Sequence, residues 1–383
     1  MSTKKYEFLS LGTVNAPYMP ALEAAVEGVL HSGRYIGGPE VSDFEHKLAA
    51  ICGCTHAIGV SNGLDALRLI LRGYIETGVF SEGDEIIVPA NTYIASVLAI
   101  SDARLVPVLV DADEATSNLD TTKALAAITS RTKGIMPVHL YGRICWDENL
   151  EKAATQLGLK IIEDNAQAIG ARSSFAGLNG SHTTGSLGHA AAFSFYPTKN
   201  IGALGDAGAV TTSDTGLAEA VRALANYGSD TRYHNIYRGV NCRLDPIQAA
   251  ILNVKLDFLE QENARRRVLA EIYGTHINNP SVRLPRNDGE ACVWHQYVVH
   301  TADRKQFTDF LDANGIGWDM HYATPPHMQP CYSRADSREL LIPASLEVTE
   351  RLAAECVSLP VSACTSPEDA HEIAGIINSF KAS

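Results

Sequence analysis

Long hydrophobic runs and dense basic clusters are both missing from this sequence of 383 residues. No uncharged apolar stretch reaches the roughly 18 residues that span a membrane, and none of signal-peptide length follows the first residues. The formal net charge is -13, without a run of Lys and Arg. A nucleic-acid partner is therefore not expected, because phosphate backbones are bound by clustered cations. The sequence predicts a soluble, cytoplasmic protein.

Metal-binding and disulfide patterns are also lacking. The eight cysteines are scattered, and the closest pair, Cys52 and Cys54, does not have the two-residue spacer of a zinc site. His371 and Glu372 stand together, but the second histidine of a zinc-protease motif does not follow them. We expect free thiols and no metal ion.

Apolar runs alternate with helical patterns through the first two-thirds of the chain. Between several of these runs the apolar residues recur at helical spacing, for example from Leu64 to Tyr74. This alternation is typical of a mostly parallel sheet covered by helices on both faces. Strands are predicted at residues 57–60, 85–88, 104–110, 134–138, 160–163 and 191–195.

The same alternation occurs in dinucleotide-binding oxidoreductases, but their glycine fingerprint is not present. No Gly-x-Gly-x-x-Gly stands between a predicted strand and a helix, and Gly202, Gly205 and Gly208 have a different spacing. The sequence therefore argues against that class of enzyme.

The pattern changes after about residue 250. A long helix is predicted at residues 251–271, followed by a strand at 293–300 and helices at 304–314 and 367–380. We interpret residues 1–250 as a large domain and residues 251–383 as a smaller α+β domain.

Asp164 ends a buried apolar strand, and Lys199 follows the next one. In open α/β sheets ligands bind at the carboxyl ends of the strands, so Asp164 is placed to pair with a buried cation. A protonated pyridine ring is such a cation, and it is the electron sink of pyridoxal 5'-phosphate (PLP) chemistry. Lys199 is crowded by aromatic residues, Pro197 and a glycine-rich stretch, which makes it the candidate for the Schiff base.

Two further strand ends provide candidate cofactor contacts. Residues 61–67 follow a short strand and open a helix, with Ser61 or Asn62 as the N-cap. Exposed N–H groups and the positive end of the helix dipole would bind a phosphate there. Tyr93 follows another strand and is placed to stack on a pyridine ring.

These segments resemble the DegT/DnrJ/EryC1/StrS family of sugar aminotransferases from about Gly33 to His327. The most specific matches are Ser-Phe-Tyr-Pro-Thr-Lys-Asn at 194–200, Gly-x-x-Gly-Asp-x-Gly at 202–208, and Arg-Leu-Asp at 243–245 with Gln-Ala-Ala at 248–250. The resemblance implies the aspartate-aminotransferase fold (PLP fold type I), with a mostly parallel seven-stranded sheet between helices. It also implies a homodimer with both active sites at the subunit interface.

The resemblance further implies roles for single residues. Lys199 would form the Schiff base, Asp164 would pair with the pyridinium, Gln167 would contact the ring hydroxyl and Tyr93 would stack on the ring. The phosphate would be held by Gly63, Leu64 and Ser194, and from the other subunit by Asn241. Candidates for the sugar and nucleotide side are Arg34, Tyr35, Tyr196, His321 and His327.

The implied reaction moves an amino group from L-glutamate to a nucleotide-linked ketosugar in two half-reactions. In the second of them Lys199 would move the proton between the cofactor carbon and the sugar carbon as general acid and base. PLP-fold dehydratases of the family carry a His in place of the lysine, so Lys199 argues against that activity. A non-catalytic regulator with the same fold is the other alternative, but no motif is broken in this chain.

Two departures from the family pattern bear on the substrate. Leu64 stands where the family often has Thr, and Ile169 stands where a His often follows Gln-Ala. In this the chain looks more like enzymes that aminate a 3-keto sugar, so the predicted substrate is a dTDP-linked 3-keto-6-deoxyhexose. A 4-aminotransferase for a dTDP- or UDP-linked 4-keto sugar is the alternative.

Overall fold

A computed structural model describes residues 5–332 and 339–382 of the chain. A seven-stranded sheet lies at its centre. Its strands are β1 His56–Val60, β2 Glu85–Pro89, β3 Val106–Val110, β4 Thr132–Ile135, β5 Lys160–Asp164, β6 Ala190–Ser194 and β7 Gly208–Thr212.

The sheet is mostly parallel, as the sequence predicts. The strand order is β1-β7-β6-β5-β4-β2-β3, and β7 runs antiparallel to both of its neighbours. β7 has no counterpart among the sequence predictions. The predicted third strand is too long by two residues, because Arg104 has a φ of 58°, which an extended strand does not accommodate.

Helices cover both faces of the sheet, because successive strand residues point to opposite sides. Ile58 and Val210 pack under α4, α5 and α8, whereas Ala57 and Ala209 pack under α3 and α9. The helices are α1 Leu11–Asn15, α2 Met19–Ser32, α3 Pro39–Cys52, α4 Gly63–Glu76, α5 Ala95–Asp102, α6 Thr121–Ala126, α7 Glu148–Leu157, α8 Thr215–Ala225, α9 Pro246–Leu256, α10 Leu259–His276, α11 Arg304–Ala313, α12 Glu347–Glu355 and α13 Pro367–Ile377. Among these described helices, none has the length and apolarity that crossing a membrane requires.

The single long helix predicted at 251–271 is wrong. The structure has two helices there, α9 and α10, separated by Asp257 and Phe258. Phe258 turns its ring onto Tyr18, with 4.9 Å between the ring centroids. Neither Pro nor Gly marks the break, so the local pattern contains no signal for it.

The last third of the chain forms a second apolar cluster around a two-stranded sheet. This sheet pairs β10 Tyr297–His300 with β11 Cys356–Leu359 in antiparallel register, and α10, α11 and α13 pack on it. Between the two sheets in sequence, a short hairpin pairs β8 Ser229–Thr231 with β9 His234–Asn235. The strand predicted at 293–300 is shorter in the structure, because Trp294 has a φ of 49°. Tyr6 also belongs to this cluster and pairs with Ile316. The division at residue 250 falls inside α9 and remains a prediction.

Candidate active site

A cavity of about 520 Å³ opens at the carboxyl ends of the central strands. Many of the residues predicted for the site share its walls although they are distant in sequence. They are Gly63, Leu64, Tyr93, Asp164, Gln167, Ser194, Tyr196, Lys199 and His321.

Asp164 is held in place by neutral donors. Its Oδ2 accepts a hydrogen bond from the hydroxyl of Ser96 at 2.7 Å, and its Oδ1 accepts one from the backbone N–H of Ala166 at 3.2 Å. The side chain is only 6% exposed, and within the described residues it forms no ion pair. A buried carboxylate without a cation is costly, so this position is suited to a positively charged ligand group.

Lys199 presents an amine of lowered basicity to the same cavity. Burial lowers the pKa of Lys199 to about 8, although the carboxylate of Asp164 acts in the opposite direction. The loop that carries it is tight: a Cβ at Gly202 would lie 2.4 Å from the carbonyl oxygen of Pro197. At pH 7 about a tenth of the amine is therefore uncharged and able to attack a carbonyl carbon, far more than for a lysine of ordinary pKa.

The first turn of α4 forms the opposite side of the cavity. Asn62 caps the helix, its side-chain oxygen accepting from the N–H of Asp65 at 2.9 Å. The N–H groups of Gly63 and Leu64 at the helix start have no partner in the described part of the chain. A Cβ at Gly63 would lie 2.7 Å from the Cβ of Ser194, so only glycine fits against the end of β6. This turn is able to bind an anion.

Gln167 is oriented by contacts at both ends of its amide. Its Oε1 accepts from the N–H of Tyr141 at 2.6 Å, and its Nε2 donates to the hydroxyl of Tyr322 at 2.9 Å. One N–H of Nε2 is left for a ligand. The ring of Tyr322 lies 5.2 Å from that of Tyr93, and Tyr93 is 54% exposed at the mouth. These side chains form an aromatic wall around the amide.

Residues 20–378 match the model of the DegT/DnrJ/EryC1/StrS aminotransferase family. The chain belongs to this family. It is 47% identical to the dTDP-3-amino-3,6-dideoxy-alpha-D-galactopyranose transaminase of Aneurinibacillus thermoaerophilus, over 97% of this chain and 99% of the relative. It is 42% identical to the dTDP-3-amino-3,4,6-trideoxy-alpha-D-glucose transaminase of Streptomyces venezuelae, over 94% of this chain and 92% of the relative.

The fold agrees with that of a solved relative. The crystal structure of S. venezuelae DesV in complex with a ketimine intermediate matches this chain with a TM-score of 0.91. The sequence identity is 40%, and 98% of each chain is covered. The protein is thus an enzyme of the aminotransferase class.

Four predicted residues of this aminotransferase do not line the cavity. Arg34 and Tyr35 are exposed between α2 and α3, and Asn241 is exposed where it bridges to Asn226. His327 lies in a short turn with its Nε2 3.1 Å from Oε1 of Glu350. Any part these residues play in catalysis must come from another subunit or from a change of conformation.

Several residues in or next to the cavity were not predicted; Ser96 hydrogen-bonds to Asp164 but is not among the lining residues. Ser96 lies in the apolar sequence of α5. A single serine there is typical of a helix core, so the sequence does not indicate that it contacts a functional residue. His295 and Gln296 interrupt an apolar run from Cys292 to Val299, and this polar interruption was a usable signal. Thr198, Asp206 and Tyr322 complete the group.

The two substitutions used to predict the substrate lie in different surroundings. Leu64 lines the cavity and also packs against the apolar cluster under α4. Ile169 is 6% exposed and belongs to the apolar cluster on the other face of the sheet. The side chain of Ile169 is not among the cavity walls, so only Leu64 bears directly on how a substrate lies there.

Proposed function

We propose that this aminotransferase uses PLP to transfer the amino group of L-glutamate to a dTDP-linked 3-keto-6-deoxyhexose. One observation carries the cofactor assignment. A buried carboxylate with no ion-pair partner among the described residues, a helix start whose first N–H groups have no described partner, and an amine of lowered pKa surround one cavity. These are the complements of a pyridinium, a phosphate and an aldehyde.

The residues present fit PLP in charge and in space. The N–H groups of Gly63 and Leu64 would hold the phosphate, Asp164 the ring nitrogen, and Lys199 would attach covalently. Tyr93 would cover one side of the ring. When bound, PLP supplies an electron-withdrawing ring that stabilises the electron pair left after a proton is removed from carbon.

The residues of the chain itself position the reactants and move protons. Asp164 would hold a proton on the ring nitrogen of the bound cofactor, because its buried carboxylate accepts hydrogen bonds from Ser96 and Ala166. In the first half-reaction the Nζ of Lys199 would take a proton from the α carbon of the amino acid and deliver it to the cofactor. In the second it would take one from the cofactor and deliver it to the sugar carbon. A pKa of about 8 allows this nitrogen both to accept and to release a proton near neutral pH.

The names of the two transaminases described above support amination at C3. Both name 3-amino sugars linked to dTDP, and the chain covers nearly all of each relative. Leu64 supports the same choice, since an apolar side chain at the cavity wall offers no hydroxyl to the substrate.

The substrate assignment is tested with purified enzymes. Supplied with dTDP-4-keto-6-deoxyglucose and glutamate, the protein is expected to form an amino sugar only when a 3,4-ketoisomerase is added. NMR should then place the new amine at C3. Amination at C4 without the isomerase would contradict the 3-keto assignment and leave the aminotransferase assignment intact.

We further propose that the enzyme acts as a homodimer in which Asn241 completes the phosphate site of the neighbouring subunit. The hairpin before Asn241 exposes large apolar side chains: Tyr227 at 54%, Tyr233 at 86% and Ile236 at 47%. Apolar groups clustered on one projecting segment favour an interface. The exposure of Asn241 outside the cavity of its own chain agrees with this arrangement.

A mixing experiment tests the shared site. Lys199→Ala and Asn241→Ala chains are each expected to be strongly impaired alone, whereas a mixed dimer carries one site without either lesion. Co-refolded in equal amounts, the two variants should recover up to roughly a quarter of the wild-type activity, since half of the dimers are mixed. If mixed dimers form without any rescue, each site is built within one chain.

A further inference from the structure

His295 is held in the cavity wall by several independent contacts. The backbone of the preceding Trp294 has a φ of 49°, which is unfavourable for a bulky residue. Nη1 of the buried Arg266 donates to the carbonyl oxygens of Trp294 and His295 at 3.2 and 3.3 Å. A strained backbone persists only where the surroundings fix it, and such positions concentrate at functional sites.

A chain of buried amides fixes the tautomer of this histidine. The backbone carbonyl oxygens of Ile169 and Val293 can only accept hydrogen bonds. The side-chain amides of Asn263 and Asn200 must therefore turn their NH2 groups toward them. Nδ2 of Asn263 donates to Ile169 at 3.0 Å, and Nδ2 of Asn200 donates to Oδ1 of Asn263 and to Val293, both at 2.9 Å. Oδ1 of Asn200 therefore faces Nδ1 of His295 at 3.2 Å, and that nitrogen must carry the hydrogen.

The second ring nitrogen, Nε2, is then a hydrogen-bond acceptor. Burial lowers the pKa of His295 well below its usual value, and the charges of Lys199, Arg266 and His321 act in the same direction. The ring stays neutral at physiological pH and cannot donate from Nε2. His295 lines the cavity together with Lys199. It also borders a small neighbouring cavity with Phe8 and Ser362.

We propose that Nε2 of His295, with its tautomer set by Asn200, accepts a hydrogen bond from a ring hydroxyl of the ketosugar and so positions the keto carbon near Lys199. This role rests on the proposed function. Asn200 directly follows Lys199, so one loop carries both the amine and the support of the acceptor. His295 is thereby a substrate-positioning residue that acts in the sugar half-reaction only.

Two substitutions at His295 separate the acceptor from the rest of the ring. Asparagine keeps an N–H near the position of Nδ1 but has no atom at Nε2, whereas glutamine places an oxygen near Nε2. His295→Asn is expected to lower kcat/KM for the ketosugar roughly tenfold to hundredfold, and His295→Gln to recover most of that loss. Single-turnover reaction with glutamate should stay within about twofold for both variants.

A substitution at Asn200 tests the tautomer through a pH profile. In Asn200→Asp the new carboxylate faces Nδ1 and raises the pKa of His295. The sugar half-reaction should then fall as the pH falls through the raised value, because protonated Nε2 no longer accepts. Asn279→Asp is the matched control. Asn279 is another buried asparagine, bonded to the carbonyls of Ile377 and Phe380, and its replacement should leave the pH profile unchanged.

Nitrogen-15 NMR of the wild-type holoenzyme gives a readout that does not depend on activity. The signal that disappears in His295→Asn should show the Nδ1–H tautomer; an Nε2–H tautomer would overturn the proposal. Equal losses in both half-reactions would also overturn it, since His295 would then act on Lys199 or on the fold. Failure of the wild type to aminate any nucleotide ketosugar would instead refute the proposed function, and this role with it.

Discussion

Lys199→Ala is expected to lose the visible absorbance of the lysine-bound cofactor and to reduce transamination at least roughly a thousandfold. The variant removes both the attacking amine and the group that moves the proton. The fold should persist, because Lys199 forms no ion pair within the described residues and its side chain borders the cavity. Absorbance spectra, steady-state rates and thermal unfolding of the purified variant measure all three expectations.

Lys255 provides the matched control for this experiment. Burial also lowers its pKa to about 8, but its Nζ donates to the carbonyl oxygen of Gly202 at 2.6 Å and it does not border the cavity. Lys255→Met should keep both the absorbance and the activity. A Lys199→Ala protein that retains the band and near-normal turnover would refute the assignment of the cofactor lysine.

Asp164→Asn is expected to slow both half-reactions by about a hundredfold to a thousandfold while Lys199 still binds the cofactor. The substitution removes the negative charge that keeps the ring nitrogen protonated, and with it much of the electron-withdrawing power of the ring. Ser96 and Ala166 both donate hydrogen bonds to the native carboxylate. The side-chain amide of the variant would have only one oxygen to accept them, and its NH2 group would point toward the other donor. Single-turnover rates with glutamate measure the effect.

Ser96→Ala is a milder substitution that acts on the same carboxylate. It removes one of the two hydrogen bonds to the carboxylate but leaves the charge, so the loss should be about tenfold or less. If Asp164→Asn were no slower than Ser96→Ala, the charge of Asp164 would not contribute to catalysis.

The buried strands could be predicted because their composition fits a sheet covered on both faces. In β5, Ile161 and Ile162 face opposite apolar clusters, so consecutive residues of the strand are apolar and the sequence predicts a strand buried on both faces. β7 was missed for the opposite reason. Its sequence Gly-Ala-Val-Thr-Thr begins with two weak strand formers and ends in two polar residues, and the hydroxyls of these buried threonines donate to the distant carbonyl oxygens of Gly185 and His189.

Part of the candidate site was readable because its residues follow predicted strands. Asp164 and Tyr93 are of this kind, since strand ends on one sheet edge meet in space. Ser96 and His295 were not readable in this way. Ser96 reaches Asp164 across 68 positions of sequence, and His295 depends on Asn200 across 95. Local patterns do not encode such pairings.

The substrate prediction shows a further limit of local comparison. Ile169 enters the substrate prediction as the replacement of a His, yet its side chain packs in an apolar cluster with Leu259 and Phe195. The backbone carbonyl of Ile169 affects the site instead, because it orients the side chain of Asn263 and through it the amide of Asn200. A one-residue difference in a motif does not reveal whether the changed side chain lines the cavity or packs in the core.

Reductive trapping of the reconstituted enzyme tests the central claim most directly. The protein is incubated with PLP, treated with borohydride, digested, and its peptides are weighed by mass spectrometry. The account predicts one modified lysine, Lys199, in the wild type and no modified lysine in Lys199→Ala. Modification of Lys255 or of another lysine, or no modification of the wild type, would contradict it.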